Sequence, residues 1–198
     1  MQSQNRTFFF FFISFIFFFK STLSDTAFIT NQESNMLDVI DLKAKKNVRK
    51  IQVGEKPAGI AIDKKNKIIF VSNPESNNIS KIDLNKNTHE FFFAGNSPMS
   101  LNYSYSTKLL YVTNWYENKI TVVNTLNNNI IKEINVGKSP AGIFLAEDLK
   151  KLFVANKDDN NVSVIDTDEF KIIKNVKVGN APYGVFSSSM TEYIFITN

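Results

Sequence analysis

Four short β-type runs recur together at intervals of about 42 residues, and no helical apolar stripe interrupts them. That combination predicts an all-β chain, a β-propeller built of four-stranded antiparallel blades. Single residues carry the recurrence. Asn31, Asn73, Asn114, Asn156 and Asn198 mark one position of the unit, and Pro57, Pro98, Pro140 and Pro182 mark another. A β-helix uses a much shorter coil, and a helical solenoid needs the stripe that is missing here. The repeat units run from about 27 to 67, 68 to 108, 109 to 150 and 151 to 192, with a fifth starting at 193–198.

Within the unit, the first run is continuous and apolar: LLYVTN ending at Asn114, with copies AFITN, IIFVSN, KLFVAN and YIFITN. Such a run predicts a strand covered on both faces. The second, ITVVN and its copies LDVID, ISKID and VSVID, is rich in β-branched residues and too short for a helix. The third alternates, with Ile134 and Val136 on one side of Asn135, Ile51 and Val53 on one side of Gln52, and Val176 and Val178 on one side of Lys177. This is the period of a half-buried strand. The fourth follows a Pro/Gly-punctuated turn and is built of small residues such as Ala58, Gly59, Ala141 and Gly142. Small residues suit the crowded axis of a propeller. The predicted radial order is therefore the Pro-initiated strand innermost, then the run ending in the landmark Asn, then the β-branched run, then the alternating rim strand.

Nine of the nineteen Phe fall between Phe8 and Phe19, a run bracketed by Arg6 and Lys20. As a helix it reaches only about 18 Å, short of a bilayer's hydrocarbon core of roughly 30 Å. It has the pattern of a signal-peptide h-region, with residues 1–24 removed at the small residues Thr22 and Ser24. Without Arg6 and Lys20 the net charge of +4 becomes nearly neutral, so nothing indicates a nucleic-acid or membrane partner. The absence of Cys excludes disulfides, a lipid-modified N-terminal Cys and covalently attached haem. Export to a periplasm or the cell exterior is the expected localisation.

The strings YVTN (Tyr111 to Asn114), VSVIDT (Val162 to Thr167) and VGKSPAGI (Val136 to Ile143) recur in order through the chain, which thereby resembles the YVTN family of β-propeller repeats. The resemblance covers nearly everything after Ala27 and implies a seven-bladed propeller of an exported bacterial or archaeal protein. One copy departs from it: Ser100 stands where Gly59, Gly142 and Gly184 stand elsewhere. Seven blades need roughly 290 residues. The sequence thus supplies a partial ring of about four blades, and the last run duplicates the first instead of closing on it, so the expectation is a fragment of a longer chain.

In such a disc the loops after the landmark Asn and the VG..P loops share one face. Trp115 and Tyr116 place two aromatics there, with Glu117, Asp158 and Asp159 beside them and Tyr183 in a VG..P turn. These six are the candidate binding-face residues, since exposed aromatics anchor contacts. Lys residues crowd the opposite face. The single His89 sits on a rim strand, no Ser–His–Asp or Cys–His set can be assembled, and no His pair has metal-ligand spacing. No catalytic, cofactor-binding or metal residue is therefore assigned. The expected function is a non-enzymatic exported scaffold whose loop face binds a protein, a polysaccharide or a small ligand. The resemblance also implies two alternatives: an accessory or substrate-binding propeller of a periplasmic quinoprotein-type oxidation system, and a lactonase-like hydrolase. The hydrolase would need acidic or basic side chains at the axis, where the sequence offers Ala, Gly, Ser, Met and Ile.

Overall fold

A computed structural model of the chain describes residues 26–188 and 193–198; the leader-like run Phe8 to Phe19 lies outside them. Blade I consists of β1 (Thr26–Asn31), β2 (Met36–Asp41) and β3 (Lys46–Gln52). Blade II consists of β4 (Ile60–Asp63), β5 (Ile68–Asn73), β6 (Asn78–Asp83) and β7 (Thr88–Phe92). Blade III adds β8 (Pro98–Tyr103), β9 (Leu109–Asn114), β10 (Lys119–Asn124) and β11 (Asn129–Asn135), and blade IV adds β12 (Pro140–Ala146), β13 (Lys151–Asn156), β14 (Asn161–Asp166) and β15 (Lys171–Lys177). The pair β16 (Gly184–Ser187) and β17 (Ile194–Thr197) follows. Each sheet is antiparallel and ordered as the chain runs. The inner strands β4, β8, β12 and β16 lie side by side, which confirms the predicted radial order.

Three apolar layers hold the blades face to face. Leu37, Val39 and Ile51 of blade I meet Ile69 and Val71 of blade II. Phe70 and Ile79 of blade II meet Leu110 and Val112 of blade III. Tyr111 and Val122 of blade III meet Leu152 and Val154 of blade IV. The alternation of a strand explains this, because Ile69 and Val71 point to one neighbour while Phe70 points to the other. Over β15, where only the pair β16–β17 follows among the described residues, the pattern lapses. Val176 of β15 is exposed although its counterparts Ile51 and Ile134 are buried.

The turns follow from residue chemistry. Most β-turn loops end in a left-handed residue, and Asn35, Asn77, Asn118 and Asn160 fill that place on one face with φ between 53° and 56°. Asn tolerates this conformation because its short side chain bonds locally. Asp41, Asp83 and Asp166 act as turn acceptors, taking hydrogen bonds from backbone N–H groups two or three residues on. The landmark Asn behaves differently. Asn73, Asn114 and Asn156 are fully buried and donate across the sheet to Ser80, Thr121 and Ser163 at 2.7–3.0 Å. They lie under the VG..P loops, where a Cβ on Gly54 or Gly137 would come within 2.7 Å of the Asn side chain.

Candidate functional site

A hydroxyl precedes the landmark Asn in blades I to III, and it ties each blade to the next at the axis. Ser72 Oγ accepts from Gly59 N–H at 2.7 Å and donates to Met99 C=O at 2.6 Å. Thr113 Oγ1 accepts from Ser100 N–H at 2.8 Å and donates to Ala141 C=O at 3.0 Å. Ser100 therefore keeps the bond that Gly59 and Gly184 make to the hydroxyls of Ser72 and Thr197. Thr30 Oγ1 likewise donates to Ala58 C=O at 3.0 Å. At the seam between blade IV and β16 the equivalent residue is Ala155, which has no hydroxyl.

The inner strands enclose an axial cavity of about 440 Å³, lined by Ala58, Gly59, Met99, Ser100, Ala141 and Gly142 together with Thr30, Gln32 and the start of β16. Among the described residues its lining carries no carboxylate, amine, guanidinium or imidazole. Tyr183 stands at this lining, and its ring centre lies 6.3 Å from that of Trp115. Lys157 Nζ sits 5.3 Å from the Trp115 ring centre, the geometry of a cation–π pair. Blades III and IV and the loop leading to β16 thus each contribute one side chain to a single cluster.

The six candidates divide. Trp115 is half-buried in this cluster, Tyr183 is half-exposed beside it, and Tyr116 is 79% exposed and points away into solvent. Glu117 and Asp159 serve the fold: their carboxylates accept from the N–H groups of Asn96 and Lys138, each at 2.9 Å, holding the VG..P loops down. Asp158 accepts from the Ser139 hydroxyl. Lys157 escaped the sequence reading, yet it holds the place in blade IV that Trp115 holds in blade III, directly after the landmark Asn. That shared offset is the signal that would have found it.

A second cavity of about 260 Å³ opens between blades II and III on the opposite face. Asp63, only 2% exposed, accepts from Tyr103 Oη at 2.8 Å and from Asn66 Nδ2 at 2.7 Å. Burial pushes its carboxyl pKa up, but the Asn66 and Tyr103 hydrogen bonds and the Lys108 charge outweigh burial and hold it below the usual value. Burial and the Asp63 carboxylate drive the Tyr103 phenol in the opposite direction, well above its ordinary value. Lys81 is paired with Glu90 at 2.9 Å and donates to Thr125 C=O. These charges are matched within the protein, the arrangement of a cross-blade clamp. His89 is exposed on β7, its ring 4.4 Å from that of Phe91, and partial burial lowers its pKa.

A radial stack of antiparallel sheets around a cavity lined by their first strands defines a β-propeller. The repeats resemble those of the YVTN type, and residues 60–148 match the model of the YNCE-like beta-propeller family. No curated protein matches the chain in sequence. Among solved structures, hydrazine synthase of Kuenenia stuttgartiensis is similar with a TM-score of 0.72 and 22% identity, over 82% of this chain and 48% of that one. A functionally unknown protein from Desulfotomaculum acetoxidans superposes with a TM-score of 0.76 at 15% identity, over 86% of this chain and 58% of that one. Virginiamycin B lyase from Staphylococcus aureus does so with a TM-score of 0.75 at 18% identity, over 88% and 60%. At these identities the likeness is one of fold. The chain spans about half to three-fifths of the length of these relatives, and enzymes are among them. Among the described residues no helix is long and apolar enough to cross a membrane.

Proposed function

We propose that this propeller is a non-enzymatic binding scaffold of an exported protein and takes its partner on the rim formed by Trp115, Lys157 and Tyr183. The observation that carries this reading is the convergence of two aromatic rings and an ammonium group from three successive units above a neutral cavity. Large, rigid aromatics with a polar neighbour supply contact area at low entropic cost, as at binding hot spots. The cavity lining supports binding over catalysis, because among the described residues it offers backbone groups, small side chains and hydroxyls and neither a carboxylate nor an imidazole. Similar propellers occur in enzymes, and in a longer chain the same face would then serve to hold a substrate or a partner subunit. The leader-like run at Phe8 to Phe19 supports a periplasmic or secreted location.

Trp115 is the single tryptophan, so its emission reports on this rim alone. Titration with neutral oligosaccharides and with extended peptides should shift that emission saturably for one class. Tyr183→Ala should weaken the same ligand at least tenfold while the thermal transition stays in place. A ligand held equally by wild type, Trp115→Ala and Tyr183→Ala would remove the rim as the site.

A further inference from the structure

A nearly neutral total charge is unevenly distributed over the two faces of the disc. On the face opposite the Trp115 rim, the β2–β3 turn carries Lys43, Lys45 and Lys46, and the β4–β5 turn carries Lys64, Lys65 and Lys67. All six are exposed, and no Asp or Glu lies between 42 and 46 or between 64 and 67. Among the described residues none of the six enters an ion pair. The carboxylates at the turn bases in blade II are engaged by the backbone: Asp63 accepts from the N–H groups of Lys65 and Asn66, and Asp83 from those of Asn85 and Lys86. The rim side of blades I to III is the reverse, with Glu33, Glu55, Glu75 and Glu117 against Lys56 and Lys138.

Hydrogen bonds join these turns into one surface. Arg49 of blade I donates to Asn87 Oδ1 in the β6–β7 turn at 2.8 Å, and Asn85 of that turn donates to Asn66 C=O at 3.0 Å. Tyr105 Oη extends the surface to blade III by donating to Ile62 C=O at 2.7 Å. Asp63, Ile68 and Asp83 stand on one rung of the sheet, so both turns of blade II project to the same level. Apolar side chains stand at the tips among these charges: Leu42 is 51%, Leu126 76% and Tyr105 42% exposed. In blade IV the face reverts to mixed charge, with Asp148, Asp168 and Glu169 beside Lys150, Lys151 and Lys171, so the basic surface ends at blade III.

We infer that this face is a peripheral docking surface for an anionic lipid bilayer. The six lysines lie over the headgroups, Leu42, Leu126 and Tyr105 enter the boundary with the acyl chains, and the Trp115 rim is held towards the aqueous phase. Each Lys close to such a surface adds attraction, and each apolar tip adds burial. The chemistry favours a bilayer over a soluble polyanion. Lysines are point charges that need no fixed partner geometry, which suits laterally mobile headgroups, and exposed leucines gain little from a hydrated chain. Docking here does not depend on what the rim binds.

The test is flotation of the full chain with two vesicles, one of phosphatidylcholine and one of equal parts phosphatidylcholine and phosphatidylglycerol. The apolar run Phe8 to Phe19 can enter a bilayer of any charge, so partition is read as the ratio between the two vesicles. The anionic vesicle should be favoured about tenfold or more, with the preference lost at high salt. Lys43→Glu, Lys45→Glu, Lys64→Glu and Lys65→Glu combined should abolish the preference, and Leu42→Asn with Leu126→Asn should cut partition to the anionic vesicle roughly threefold. An unchanged thermal transition, expected at these exposed positions, separates loss of docking from loss of fold. On the wild-type chain, anionic vesicles should slow hydrogen exchange in 42–46 and 64–67, and brominated acyl chains should leave the emission of Trp115 unquenched. A ratio near one, an unchanged ratio in the lysine variant or quenching of Trp115 would overturn the proposal. Full partition by the leucine variant would overturn it too, leaving a surface for any polyanion, such as an acidic polysaccharide.

Discussion

Thr113→Val tests whether the axial hydroxyls hold the blades together. Valine has the branched shape of threonine, so at this fully buried site the change puts a methyl in place of the hydroxyl and removes its hydrogen bonds. Two groups then lose a partner, Ser100 N–H and Ala141 C=O, which the hydroxyl meets at 2.8 and 3.0 Å. A buried polar group left unpaired costs about 1–3 kcal/mol, so the variant should lose about 2–4 kcal/mol. With a urea slope of about 2 kcal/mol/M, the unfolding midpoint should fall by roughly 1–2 M with the slope unchanged. Ala155→Ser supplies the reciprocal change at the seam that lacks the hydroxyl. Ser72 shows that serine suffices on this backbone. The added oxygen faces Gly142 and Tyr183, whose carbonyl oxygen already lies 2.3 Å from where a Cβ on Gly142 would stand. It should stabilise by about 0.5–1.5 kcal/mol and slow exchange in β16 and β17. A Thr113→Val midpoint within experimental error of wild type would refute the staple, and an Ala155→Ser variant less stable than wild type would refute its extension.

The remaining predictions concern the cross-blade clamp and the loop glycine. Asp63 has a folded pKa below its unfolded value near 3.9, so its stabilisation is present above that pH and is lost as the pH falls through the lower folded value. Tyr103→Phe should therefore cost about 1–2 kcal/mol at pH 7 in urea titrations, with the deficit closing as the pH falls through the lowered folded pKa of Asp63. An equal deficit above and below that pKa would assign the effect to packing. Gly137→Ala places a Cβ 2.7 Å from the Cβ and Cγ of Asn156, whose amide is held by Asn161 and Ser163. Calorimetry should show a loss of about 1–3 kcal/mol from this overpacking, and a neutral outcome would mean that the loop shifts freely over the landmark Asn.

Much of the architecture was legible because its signals are local. Five landmark Asn and four Pro at a common spacing reveal the units, the apolar run of β9 and the alternation of β11 separate the covered strand from the rim strand, and Asp41, Asp83 and Asp166 announce turns from their own neighbourhood. The landmark Asn was harder to read. An Asn at a strand end has the look of a turn former, and only the overlying VG..P loop turns it into a buried cross-sheet donor. Glu117 and Asp159 look like free surface carboxylates in the sequence, yet each meets an N–H group 21 residues upstream.

The amino-acid sequence by itself determined the repeat, the radial order of its strands and the sidedness of its loops, since each arises within one unit from side-chain period and backbone preference. The tertiary structure alone decided what happens between units: the meeting of Trp115, Lys157 and Tyr183, and the hydroxyl ties from Thr30, Ser72 and Thr113 to the next inner strand. Such contacts depend on how neighbouring sheets pack. A period read along the chain records where each unit begins, but carries no distance between side chains that belong to different units.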